Sequence, residues 1–117
     1  MKTILLILSA LVAFEHIYFL VLEMFYWTKP KGMKAFGLSK EQAESSKVLA
    51  ANQGLYNGFL AAGLIWGIEL GKTDLIVFFL ICVSVAGIYG SYSTKMIKLF
   101  YIQAVPALLA LGVWLLS

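Results

Sequence analysis

The chain has 117 residues, of which 62% are hydrophobic and only 13% charged, and its mean hydropathy is +0.90. That length holds one domain, and the composition lies far above the roughly 45 to 50% apolar share of soluble proteins, so a water-soluble globule is excluded and an integral membrane protein expected. The net charge of +3 comes from lysines alone, without arginine, and no basic face remains once they are assigned to loops, which argues against nucleic-acid binding.

Four apolar segments are long enough to cross a hydrocarbon core of about 30 Å at 1.5 Å per residue: 4–27, 48–70, 75–92 and 99–116. The expected fold is therefore all-α, a single four-helix transmembrane bundle. The start, Met1-Lys2 followed by an apolar run, imitates a signal peptide, but the run continues past Glu15 to Trp27 and no small-x-small cleavage site precedes it. It reads as the first span. The connection 28–47 opens with Lys29-Pro30-Lys31-Gly32, a turn signal, and contains Ser39-Lys40-Glu41-Gln42, a capping-box pattern that starts the second helix near Lys40. Gly71-Lys72-Thr73-Asp74 is a tight hairpin, and Ser93-Thr94-Lys95 marks the last connection.

Lys29, Lys31, Lys34, Lys40, Lys47, Lys95 and Lys98 fall in the first and third connections, against Lys2 and Lys72 on the other side. Basic loops stay in the cytoplasm, so both termini are expected outside and 28–47 inside. Tyr26 and Trp27 at one boundary and Trp66 and Trp114 near the other fit interfacial belts. Gly54, Gly58 and Ala62, then Gly63, Gly67 and Gly71, recur every fourth residue, as do Ala86 and Gly90, and such ridges let membrane helices pack closely within one bundle or between copies. A homo-oligomer stays open. The lone Cys82 cannot form an internal disulfide and reads as a small packing residue.

Polar residues within the spans carry the functional argument. A charged side chain at the centre of a membrane helix costs roughly 2.5 to 3.5 kcal/mol, so Glu15, His16 and Glu23 need partners, water or a proton. His16 and Glu23 are seven residues apart, about 20° in projection and about 10.5 Å along the axis, and Trp27 continues that face with Glu15 at its edge. Asn52, Gln53, Tyr56 and Asn57 share one side of the second helix. Counted from the cytoplasmic edge at 1.5 Å per residue, Glu23, Asn52, Gln53 and Gln103 all lie about 6 to 8 Å deep, with Tyr89, Tyr92 and Tyr101 in the same zone. Glu15, His16 and Asn57 lie deeper. Pro106, inside the last segment, frees a backbone carbonyl near Ile102.

These groups are either a hydrogen-bond network that fixes helix register or a pocket in the cytoplasmic half of the bundle. Their number favours the pocket, because polar glue in membrane helices comes singly and as Ser, Thr or Asn. His16 and Glu23 are too far apart to hold one metal ion, no His or Cys cluster accompanies them, and no serine or cysteine stands beside the histidine as a nucleophile. Proton transfer suits a carboxyl group out of water better, and so does ligand binding by amides, tyrosines and one acid. The candidates are Glu23, His16 and Glu15 as acid/base groups and Trp27, Asn52, Gln53, Tyr56, Asn57, Tyr89 and Gln103 as ligand contacts. No cofactor and no reaction are specified; an amphipathic or lipophilic ligand, a proton-coupled dimeric exporter and an accessory subunit of another membrane protein all fit.

The strings Glu15 to Tyr18, Leu22 to Trp27, Leu49 to Leu64, Ala86 to Gly90 and Ile102 to Ala107 resemble a family of small bacterial membrane proteins known as domain of unknown function 1304. The resemblance covers nearly the whole chain and implies the bacterial cytoplasmic (inner) membrane, with no activity to carry over. Looser similarities to the trimeric membrane enzymes of eicosanoid and glutathione metabolism and to small multidrug transporters stop at the level of fold, since the arginine pattern of the first and the sequence pattern of the second are absent.

Overall fold

A computed structural model describes residues 2–117, so Met1 of the signal-like start lies outside the described residues. Every regular element among them is helical: α1 (Lys2–Phe25), α2 (Pro30–Phe36), α3 (Lys40–Leu70), α4 (Thr73–Thr94) and α5 (Ile97–Leu116). Three of these, α1, α4 and α5, are long and apolar enough to cross a membrane. At 31 residues α3 is the longest, but the amides of Asn52, Gln53 and Asn57 keep it out of that group.

The chain divides into two compact units, residues 2–15 with Leu60–Ser117 and residues His16–Phe59. In the first, Leu5, Val12 and Ala13 of α1, Ala61 and Leu64 of α3, Ile76, Leu80 and Val83 of α4 and Ala107 and Ala110 of α5 form a dry core. Small residues set how closely these helices approach. A Cβ on Gly87 would lie 2.8 Å from the backbone nitrogen of Ala104, so α4 and α5 touch backbone to backbone there. The contact falls on Gly87 rather than on Gly90, where a Cβ would meet nothing. Gly63 and Gly67 seat Phe79 and Ile76 of α4, and Gly71, at φ +64, makes the α3–α4 turn.

The α5 helix is not uniform. Phe100–Ala104 winds as a π-helical turn in which the Val105 N–H reaches back to the Phe100 carbonyl, just before Pro106, which has no N–H to give. The wider turn falls where the sequence leads one to expect the proline opening.

In the second unit the connection 28–47 is not a plain loop, because α2 occupies its first half. Pro30 at the start of α2 has its φ preset for a helix and lacks only an N–H that a first turn leaves unpaired. Gly37, at φ +64, ends it, and the Leu38 N–H caps back to Met33 at 2.9 Å. The Ser39/Gln42 capping box forms: the Ser39 N–H donates to Gln42 Oε1 at 2.9 Å and the Gln42 N–H to Ser39 Oγ at 3.1 Å. Trp27, just beyond the end of α1, lies against Phe36 of α2 (ring centroids 4.9 Å apart) and donates its Nε1–H to Ser46 of α3 at 3.1 Å.

Candidate polar site

Along α1 the buried face runs through Leu5, Ser9, Val12, His16 and Glu23. Ser9, His16 and Glu23 are seven residues apart, so each points in nearly the same direction as the last. The opposite stripe, Ile4, Ile7, Leu11, Phe14, Tyr18 and Phe25, is exposed. This is the pattern of a helix with one side on protein and the other, apolar side open.

Glu23 is 3% exposed, and both its carboxyl oxygens are occupied. Gln53 Nε2 donates to Oε2 at 3.0 Å, and Asn57 Nδ2 donates to Oε1. The two amides are four residues apart on α3 and so stand one above the other on one face, which lets a single carboxyl group span them. Gly54 permits this: a Cβ there would lie 3.0 Å from Glu23 Cβ and 2.8 Å from Met24 Cγ, so any side chain would push α3 off α1. Sequence, helix approach and hydrogen bonding are thus one arrangement.

Beside the pair is an open pocket of about 370 Å³ within the same unit. Glu23, Trp27 and Asn52 line it together with apolar Met24, Phe25, Val48 and Ala51, and Thr28 and Lys47 bring a hydroxyl and a cation to it. Gln53 and Asn57 hold Glu23 but are not among the lining residues, and neither is Tyr56, which is 58% exposed and packs on Phe59. His16 is fully buried, edge-on to Phe19 at 5.2 Å. Glu15, partly exposed, keeps Oε1 buried without a hydrogen-bond partner among the described residues, as does Ser9 Oγ. Tyr89, 67% exposed on α4, and Gln103, half-buried in the π turn, belong to the other unit.

Lys47, Thr28 and Met24 escape a reading of the sequence. Lys47 looks like one more loop lysine, and although the capping box already starts α3 near Lys40, only the structure brings Lys47 into the space of Asn52. Among the described residues no three His, Cys, Asp or Glu side chains come close enough to hold a metal ion.

The fold and this polar pair define an all-helical protein with helices fit to cross a membrane and one deeply buried acid bridged by amides. The chain belongs to the family described as "Protein of unknown function (DUF1304)", whose model matches residues 10–115. It is also 35% identical over 115 residues to "Uncharacterized protein YpaA" of Lactococcus lactis subsp. lactis (strain IL1403), which covers 95% of this chain and 96% of that protein. No solved structure matches.

Proposed function

We propose that the protein is a four-span bundle of the bacterial cytoplasmic membrane, with both termini outside and residues 28–47 inside, that binds a small amphipathic or lipophilic molecule in the pocket beside Glu23. The observation that carries this reading is the coexistence of a buried, doubly bonded Glu23 with an open space next to it. A carboxyl group serving only as glue has no need of an adjoining cavity. Met24, Phe25, Val48 and Ala51 offer an apolar part of a ligand its surface, Trp27 supplies a flat wall, and Asn52, Thr28 and Lys47 suit a polar end. Glu23 is the principal acid/base or cation-binding group, and Gln53 and Asn57 hold it in place. The α3 helix enters the membrane despite its amides because α1 takes up two of them.

The test is to purify the protein from its native membrane and identify small molecules that leave with it by mass spectrometry. A ligand recovered at near-stoichiometric amount, and reduced about tenfold or more by Asn52→Ala, is the expected result. Retention unaffected by both Asn52→Ala and Glu23→Gln overturns the reading, and a stoichiometric protein partner in place of a small molecule makes the chain an accessory subunit.

The buried His16, one heptad from Glu23 on the same face of α1, favours a second reading, proton-coupled export by a dimer. Substrate-driven proton flux in proteoliposomes that disappears in Glu23→Gln supports it; no flux across a broad panel of cationic drugs rejects it.

A further inference from the structure

We propose that α2 and the outward face of α1 beside it form a headgroup site for an acidic phospholipid, held chiefly by Lys31 and Lys34. The inference goes beyond the pocket and rests only on the part of the preceding reading that places α1 across a bilayer.

Residues 26–40 include Lys29, Lys31, Lys34 and Lys40 and not one Asp or Glu. Lysines further along find a counter-charge, since Lys40 and Lys47 both pair with Glu44. Among the described residues no carboxylate pairs with Lys29, Lys31 or Lys34. Their charge is not loosely tethered either. Gly32 is pressed so closely on the turn after α1 that a Cβ there would collide with the Tyr26 carbonyl oxygen, and Phe36 is stacked on Trp27, so α2 is fixed to the end of α1.

The position of the Lys31 ammonium group is the decisive feature. Lys31 Nζ lies 5.6 Å from the centre of the Tyr18 ring. Tyr18 is seven residues before the end of α1, about 10.5 Å along its axis, so the Lys31 side chain reaches back from the end of α1 along its outward face. Tyr18 belongs to the outward stripe with Ile17 and Phe25, where acyl chains lie if α1 spans the membrane. The aromatic face offsets part of the cost of an ammonium group at that depth but brings no negative charge. A lipid phosphate does. Lys34, three residues on, lies on the same side of α2 as Lys31 and doubles the positive charge facing it. The positive charge selects an acidic headgroup over a zwitterionic one, and the apolar stripe selects a lipid over a soluble anion.

The full-length protein in detergent, mixed with equal amounts of phosphatidylglycerol and phosphatidylethanolamine of identical acyl chains, tests this by native mass spectrometry. Wild type is expected to retain phosphatidylglycerol on the order of tenfold over phosphatidylethanolamine, with the preference falling as salt rises. The double substitution Lys31→Gln/Lys34→Gln abolishes the preference, while Glu23→Gln keeps it, which separates this site from the pocket. Should the double variant lose its helical circular dichroism, Lys34→Gln alone is read and is expected to lower the preference several-fold. Equal retention of the two lipids by wild type, an undiminished preference in the folded lysine variants, or displacement of the lipid by millimolar glycerol phosphate overturns the proposal.

Discussion

Glu23 is itself buried and is bonded through both oxygens to the side-chain amides of Gln53 and Asn57. Removing it therefore does more than delete an acid. Glu23→Ala takes the acceptor from the half-buried Asn57 amide and from the more exposed Gln53 amide, a combined loss of about 1 to 3 kcal/mol. The expected outcome is a marked fall in melting temperature in detergent. Glu23→Gln, which keeps one acceptor oxygen, should lose less than half as much, and equal losses in the two variants would mean that the amides do not depend on the carboxyl group. Asn52→Ala, by contrast, removes a pocket-lining group that makes no such bond to Glu23 and is expected to change stability by less than about 0.5 kcal/mol. At this scale the sequence was informative about residue types but not about roles. Glu23, Gln53 and Asn57 are visible as unusual in an apolar span. That Gln53 and Asn57 clasp the acid while Asn52, one residue away, faces the pocket follows from a rotation of about 100° per residue that only the packing of α3 on α1 resolves.

Among the elements, the ends of helices proved legible and the irregular turns did not. The capping box at Ser39 states its own geometry, because a Ser and a Gln three apart can satisfy each other's backbone N–H groups. The same logic failed at α2, where Lys29-Pro30-Lys31-Gly32 reads as a turn even though proline is equally at home in the first turn of a helix. Seven residues are too few for a hydrophobic period to show. Glycine spacing misled in α4 in a similar way: Ala86 and Gly90 repeat at four, yet the close contact is at Gly87. Gly87→Ala would place a methyl group 2.8 Å from backbone that cannot rotate away, and we expect a loss of about 1 to 3 kcal/mol, measured by thermal melting, against almost none for Gly90→Ala. A Gly54→Ala substitution meets side-chain atoms and the Leu20 carbonyl instead. Its expected cost is similar, but it should be partly relieved by Met24→Ala, a coupling that a double-mutant cycle measures.

For the whole molecule, hydropathy and the lysine distribution carry the expectation of class and orientation, and both follow from the solvent rather than from any contact. Three helices are long and apolar enough to cross a membrane, which is what the composition leads one to expect. Orientation is a prediction. In cells, Ser45→Cys in a Cys82→Ala background should react with a maleimide only when the reagent crosses membranes, whereas Lys72→Cys should react with an impermeant one; the reverse pattern would invert the proposed topology. How many times the chain crosses depends on α3, and hydropathy alone is ambiguous there because its amides count against it.

That ambiguity has a consequence for how the protein is made. During synthesis α1 emerges first, carrying an acid that lipid does not solvate, and α3 follows with the amides that cancel it. In the proposed topology α1 is apolar enough to enter by itself whereas α3 is not, so α3 is expected to be inserted only once α1 and its acid are in place. A chain cut short after α2 should accordingly resist extraction by alkaline carbonate, and Glu23→Leu should leave α3 of the full chain open to an impermeant reagent.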